Sequence, residues 1–263
     1  MGECISLTIK NKWNKYNAKG VCRVKGVILA GGSGTRLRPL TKLMNKHLLP
    51  VGKYPMILYG IKKLMKAGIE DILIIMGKQS AGLYTEFLGS GREWGVRITY
   101  KIQEEAGGIA QALALADGFI HKHEKFVTLL GDNLFSDSLA SYVKQYEQQE
   151  QGAMVLLKKV DDPRRYGVPV LDGEKIIRIE EKPSVPPSDY CVTGIYMYDA
   201  GVFDIIKQIQ PSERGEMEIT DVNNVYAADG RLSYSILHGW WTDAGTFASL
   251  NEAAQQLLSG DEP

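Results

Sequence analysis

Cysteine is scarce: Cys4, Cys22 and Cys191 are the only three in 263 residues. They are too few, too scattered and odd in number for a disulfide framework, which excludes a small stapled secreted scaffold. No run approaches the ~18 consecutive apolar residues that a membrane span requires. Neither sign of charge prevails, with 31 Lys+Arg against 31 Asp+Glu. A dedicated nucleic-acid binder usually shows its basic footprint in bulk composition, so that class is disfavoured. No repeat of 20–50 residues is present, which argues against a solenoid. With 44% hydrophobic and 24% charged residues, the composition is that of an ordinary folded, cytoplasmic protein with an ample core and no membrane partner.

Residues 1–23 differ from the rest. Lys10, Lys12, Lys15, Lys19 and Arg23 face only Glu3. These charges interrupt any apolar run, so the segment has no secretory h-region. Alternation at Ile5, Leu7 and Ile9 is compatible with one short strand, but a terminal extension is the preferred reading. Residues 24–263 are expected to form a single domain.

From Val24 onward, short apolar runs alternate with helical patterns. Buried strands are expected at Val27–Ala30, Ile72–Met76 and Val192–Tyr198, an alternating one at Val96–Tyr100, and further strands at Phe126–Leu130, Ala153–Lys159, Ile176–Glu180 and Leu232–Leu237. Helices are expected from Pro55 to Gly68 and over Ile109–Ala116, Leu139–Gln149, Val202–Ile209, Asp221–Ala228 and Phe247–Leu258. Such alternation predicts an α/β fold: a doubly wound, mainly parallel sheet with helices on both faces. In such sheets ligands sit at the carboxyl ends of the strands, so polar clusters placed there are the candidate site.

The first cluster, Gly31-Gly32-Ser33-Gly34-Thr35-Arg36, leaves the first strand. Glycines let the backbone turn and bring its N–H groups close to an anion. It is not a Walker A loop, because no Lys-Ser or Lys-Thr follows. It is not a dinucleotide fingerprint either, since Leu37 stands at the third glycine. Arg36 offers a permanent bidentate phosphate clamp, and Lys46 follows on the same long loop. Further polar groups follow later strands: Gln103, Asp132 with Asn133, Glu181 with Lys182, and Asp243. From the residues alone, Gly131-Asp132-Asn133 reads equally as an Asx-turn, Asp243 as a helix cap, and Gln103 as an ordinary polar loop residue. Cys191 reads as a small buried hydrophobe, Trp240-Trp241 as a packing pair, and His121 with His123 as a solvated surface pair. Glu216 and Glu218 either contact ligand or cap a helix.

Taken together, Gly26–Arg36, Asn45–Pro50, Tyr54–Met56, Gly131–Asn133, Tyr166–Val168, Glu180–Pro183, Val192–Tyr196, Gly215–Asp221 and Trp241–Thr246 resemble the sugar-1-phosphate nucleotidyltransferases. Within that family the likeness is to the short thymidylyltransferases that use dTTP and glucose 1-phosphate. The resemblance runs from Lys25 to about Leu250 and implies a Rossmann-like nucleotidyltransferase domain. Relatives commonly begin Met-Lys-Gly where Val24-Lys25-Gly26 stands, so residues 1–23 are expected to lie upstream of the true start.

The resemblance further implies formation of dTDP-glucose and pyrophosphate, feeding a deoxysugar such as rhamnose. It places Leu29, Gly31, Gly32, Gly34, Thr35, Arg36, Gln103, Gly108 and Asp132 against the nucleotide. Asn133, Gly167, Glu181, Lys182 and Val192 would meet the sugar phosphate. Arg36, Lys46 and Lys182 would be the catalytic cations, and Asp132 and Asp243 would hold Mg²⁺. A homo-oligomer, dimer or tetramer, is also implied. Two competing readings are a uridylyl- or cytidylyltransferase on the same scaffold (UTP or CTP in place of dTTP) and a non-catalytic nucleotide-sugar sensor.

Overall fold

The computed structural model describes residues 24–259; the expected extension over 1–23 lies outside them. Thirteen strands and seven α-helices follow one another in this span. A seven-stranded sheet is made by β1 (Lys25–Ala30), β4 (Asp71–Gly77), β5 (Arg97–Gln103), β6 (Lys125–Leu130), β8 (Ala153–Lys159), β11 (Tyr190–Asp199) and β12 (Leu232–Ile236). Its spatial order is β12-β8-β11-β6-β1-β4-β5. Three short ribbons complete the strands: β2 (Pro50–Val51) with β3 (Tyr54–Pro55), β7 (Asn133–Phe135) with β13 (Trp241–Asp243), and β9 (Gly167–Asp172) with β10 (Lys175–Glu181).

The helices are α1 (Met56–Lys66), α2 (Ala81–Leu88), α3 (Ile109–Ala114), α4 (Leu139–Gln148), α5 (Val202–Ile206), α6 (Ile219–Ala228) and α7 (Phe247–Ser259). Alternation along β1 divides the core. Ile28 and Ala30 face a cluster shared with α1, α2 and α4, while Val27 and Leu29 face one shared with α3, α5 and α6. Helices therefore cover both faces, as expected. Helix α1 shows why: Ile57, Ile61 and Leu64 recur at helical spacing and are wholly buried, each contributing about 1.5–3 kcal/mol of burial. Gly68 then ends the run at φ 83°. Among the described residues no helix is long and apolar enough to cross a membrane.

The parallel expectation needs one correction. β11 runs antiparallel to both neighbours, β6 and β8, whereas the other four pairings of the sheet are parallel. The cause lies in the connection. β8 leaves the sheet at its carboxyl end and the chain folds the β9–β10 hairpin there. It then re-enters with Tyr190 opposite Lys159, at the end that it left. No crossover helix intervenes, so the strand must run backwards. The expected strand at Ile176–Glu180 is present but is accordingly half of that hairpin rather than a member of the main sheet. β11 also carries a register shift between Val192 and Tyr196, which opens the sheet face beside Gly194.

Candidate active site

The carboxyl ends of β1, β6 and β10, with the middle of β11 and the β7–β13 ribbon, enclose a cleft of ≈ 510 Å³. Gly34 begins the first loop in the left-handed region at φ 62°, and Thr35–Leu37 form a single 3-10 turn. The glycines serve a second purpose beside exposing N–H groups. A Cβ on Gly32 would lie 3.2 Å from Lys46 Cε, and one on Gly34 would lie 3.0 Å from Lys46 Cβ. Their absence lets the Lys46 side chain run along the loop to Asp132, with which Lys46 Nζ hydrogen-bonds. Lys46 starts its own 3-10 turn, capped by the Asn45 side chain, which accepts from the His47 N–H.

The β7–β13 ribbon brings the two acids together. Asp243 is in register with Asn133, and the Ala244 N–H donates to Asp132 O at 2.9 Å. Asp243 therefore belongs to a strand rather than capping a helix. Two lysines, buried Lys63 and half-buried Lys158, brace the far end of this ribbon. Lys63 Nζ donates to Ser136 O (2.8 Å) and Asp137 O (2.9 Å), and Lys158 Nζ donates to Gly239 O (2.6 Å). The Asp137 carboxylate accepts from the N–H groups of His238 (3.0 Å) and Gly239 (2.6 Å). Burial lowers the Lys63 pKa to about 8.

Electrostatics separates the two acids. Burial alone would raise the Asp132 pKa, but Lys46, His47 and hydrogen bonds from Lys46 and Asn133 hold it well below the carboxylate range. Asp243 is raised, first by burial and then by repulsion from Asp132; Arg36, 3.9 Å away, only partly offsets this. A carboxylate whose ionisation a neighbouring carboxylate opposes is relieved by a cation between the two. Among the described residues no group of three or more His, Cys, Asp or Glu forms a fuller metal set. A pair of hard oxygen donors suits an ion that retains waters and binds substrate phosphates.

At the other end of the cleft, β5 extends to Gln103, whose side chain is buried. Its Nε2 donates to Gln111 Oε1 (2.8 Å), which also accepts from the Gly107 N–H (2.9 Å). Gln103 is thus held in one orientation, packed over Gly31. Gly108 has φ 101°, and a Cβ there would strike the Met217 backbone. The Met217 N–H donates to Gly107 O (2.8 Å), which laces the 103–108 segment to the 215–218 stretch.

The residues expected to meet the sugar phosphate cluster as well. Glu181 accepts from Thr220 Oγ1 (2.6 Å) and pairs with Lys182 Nζ (3.2 Å). Lys182 sits in the left-handed region at φ 47°, its N–H bonded to Tyr166 O (3.0 Å). Asn133 Oδ1 accepts from the Gly194 N–H (2.8 Å) and Trp241 Nε1 (2.8 Å), while its Nδ2 donates to Asp132 (3.1 Å).

Of the residues singled out in the sequence, Leu29, Gly31, Gly32, Arg36, Lys46, Gln103, Gly108, Asp132, Asn133, Gly167, Glu181, Lys182, Val192 and Asp243 line this one cleft. Gly34 and Thr35 do not reach its wall; they shape the turn that presents Arg36. Glu216 and Glu218 line it too. Glu218 occupies the N-cap position of α6 without a capping bond and instead accepts from Ser212 Oγ and Arg214, both at 2.8 Å. The paired tryptophans part company. Trp240 packs toward α7, whereas Trp241 lines the cleft edge-on to Tyr166, ring centroids 5.4 Å apart.

Sequence reasoning missed Gln111, Arg165, Tyr166 and Trp241 as participants, and left His47 aside. Buried His47 lines the cleft, its Nδ1 2.7 Å from Asn45 Oδ1, and burial with Lys46 beside it lowers its pKa to about 3. The motif Arg165-Tyr166-Gly167 was the available signal for two of them. Cys191 is buried and unpaired, its thiol pushed by burial up to about 12, as fits a small hydrophobe.

A cleft of glycine loop, cations and paired acids at strand ends is the equipment of a phosphate-handling enzyme. The chain belongs to the nucleotidyl transferase family, whose model matches residues 25–260. Among curated relatives, the glucose-1-phosphate thymidylyltransferase of Neisseria meningitidis is 44% identical over 235 residues, covering 88% of this chain and 81% of the relative. That of Xanthomonas campestris pv. campestris is 46% identical over 234 residues, covering 88% and 79%. The crystal structure of a Bacillus anthracis protein provisionally assigned the same activity, in complex with a sucrose, superimposes with a TM-score of 0.87 at 53% identity. It covers 92% of this chain and 98% of its own. A UDP-glucose pyrophosphorylase complexed with UDP-glucose gives 0.78 at 25% identity, covering 90% and 99%.

Proposed function

We propose that this enzyme transfers a thymidylyl group from dTTP to glucose 1-phosphate, giving dTDP-glucose and pyrophosphate. The observation that carries the reading is the meeting of Arg36, Lys46, Lys182, Asp132 and Asp243 around one cleft, in a chain 44–46% identical to thymidylyltransferases. The sugar phosphate attacks the α-phosphorus through an oxygen already ionised near neutral pH, and the bond to the departing pyrophosphate breaks. No general base is required. The obstacle is repulsion between phosphorylated substrates, so catalysis rests on positioning and charge neutralisation.

In this reading the glycine loop and Arg36 hold the triphosphate, Lys46 meets the transferred α-phosphate, and Lys182 meets the sugar phosphate. Gln103, oriented by Gln111, offers donor and acceptor to the base edge, and the Gly108 backbone approaches the base. Glu181, Asn133, Gly167 and Val192 enclose the sugar. Asp132 and Asp243 would hold Mg²⁺, which supplies Lewis-acid neutralisation of phosphate oxygens when bound. Lys46, now paired with Asp132, would then be released toward phosphate. A homo-oligomer in the cytoplasm belongs to the same proposal.

A uridylyltransferase is the second reading, favoured by the fold shared with the UDP-glucose-bound neighbour. The test is pyrophosphate release with glucose 1-phosphate and Mg²⁺, offering dTTP, UTP, CTP, ATP and GTP in turn. Release led by dTTP is expected, and release led by UTP selects the second reading. Nucleotide binding without release from any would leave a nucleotide-sugar sensor.

A further inference from the structure

Four cations line the cleft: Arg36, Lys46, Arg165 and Lys182. Three of them are already matched with a carboxylate of the same cleft. Arg36 faces Asp243 at 3.9 Å, Lys46 bonds Asp132, and Lys182 lies 3.2 Å from Glu181. Arg165 has no ion pair among the described residues. Its neighbour shows that this is no property of the turn. Arg164 does not reach the cleft and is committed to Asp162 through two 2.8 Å hydrogen bonds, from Nε and Nη2. The short 3-10 turn Pro163–Arg165, capped by Asp162, thus directs one arginine outward and the next inward.

Arg165 is exposed, and its guanidinium lies 6.0 Å from the ring centroid of Tyr166, which Trp241 supports edge-on. An aromatic shelf guides an arginine without consuming its N–H donors, so the planar fork stays available for a bidentate anion contact. Position follows from shared neighbours. Arg36 lies 3.9 Å from Asp243, and the Tyr166 ring beside Arg165 packs on Trp241, the first residue of the β13 strand that ends in Asp243, so both guanidinium groups line the Asp243 side of the cleft. Lys182 instead belongs to Glu181, on the sugar side.

We propose that Arg165 is a further catalytic residue of this cleft, a second arginine that receives the pyrophosphate end of the triphosphate around Asp243 together with Arg36. The assignment rests on the nucleotidyl-transfer reading for its role in turnover, but not for the anion contact itself. As pyrophosphate departs, negative charge accumulates on its bridging and terminal oxygens. A guanidinium with no carboxylate to abandon meets that charge without breaking an existing pair, unlike Lys46 or Arg36.

The test titrates inorganic pyrophosphate, with Mg²⁺, into the wild-type chain and into Arg165→Gln, Arg165→Lys and Arg164→Gln, followed by pyrophosphorolysis of dTDP-glucose and by the forward reaction with dTTP and glucose 1-phosphate. Arg165→Gln is expected to weaken pyrophosphate binding ~10- to 100-fold and to raise the KM for pyrophosphate while the KM for glucose 1-phosphate moves less than threefold. Arg165→Lys restores part of the loss, because it keeps charge without the fork. Arg164→Gln changes neither quantity. Equal melting temperatures for Arg165→Gln and wild type exclude misfolding as the cause. Wild-type pyrophosphate affinity in Arg165→Gln overturns the proposal, and so does a loss confined to glucose 1-phosphate. Arg165-dependent pyrophosphate binding in a chain that transfers no nucleotide would overturn the activity reading and leave the Arg165 contact standing.

Discussion

Lys182 joins a strained backbone to a charged side chain, and substitution separates the two. At φ 47° it occupies the left-handed region, which costs an ordinary L-residue roughly 1–2 kcal/mol. Alanine keeps that strain and removes the ammonium; glycine removes both. Glycine also loosens the unfolded chain, at about 0.4–1 kcal/mol. The difference leaves Lys182→Gly more stable than Lys182→Ala by about 0.5–1 kcal/mol, the reverse of the usual glycine–alanine order. For a chain of this size that is about 1–4 °C in melting temperature. Loss of the half-exposed pair with Glu181 is common to both variants and cancels, and is itself worth at most ~1 kcal/mol. Turnover should fall equally in the two, ~100- to 1000-fold, because both lack the cation proposed to meet the sugar phosphate. Thermal melts and pyrophosphate release on the same samples decide the matter. An alanine variant melting at or above the glycine variant refutes the strain argument, and turnover within threefold of wild type refutes the role of the charge.

Two further outcomes follow from the site. His47 has a folded pKa of about 3 against 6.5 in the unfolded chain, so between those values the unfolded state binds more protons and stability rises with pH. Acidification from pH 6.5 to 4.5 should therefore cost about 2 kcal/mol at this position. Urea denaturation of His47→Gln should show a correspondingly shallower pH slope; an unchanged slope refutes burial of a neutral imidazole. Gly108→Ala would place a methyl 2.5 Å from Met217 O and 2.7 Å from its N, at φ 101°. A loss of about 1–3 kcal/mol is expected, with a raised KM for dTTP, and a wild-type melting curve would contradict the packing.

The strand–helix alternation was legible because burial on both faces leaves continuous apolar runs such as Ile72–Met76. What escaped was structure that tertiary contacts dictate. α2 buries only Tyr84 and Leu88 and contains Gly82, so its periodicity is thin. β7 and β13 have three residues each and exist only through each other. The reversed direction of β11 depends on where the β9–β10 hairpin leaves the chain, which no local pattern encodes. At the site, charged residues after strands were conspicuous, whereas Gln111 and Trp241 act by orienting Gln103 and Asn133, and nothing in their own surroundings announces that.

The ribbon of β7 and β13 joins segments that leave the ribosome far apart in time. The glycine loop, Lys46 and Asp132 are made early; Asp243 arrives only after β12, the outermost strand of the main sheet. Until Trp241–Asp243 is synthesised, β7 has no partner, Asn133 lacks its Trp241 donor, and Leu134, 2% exposed in the finished fold, is without the strand beside it. The acid pair is therefore created by the last strand to be added. A nascent chain can hold all seven strands of its main sheet and still lack one of the two acids of the cleft, so the full set of charged groups appears only as the domain is completed.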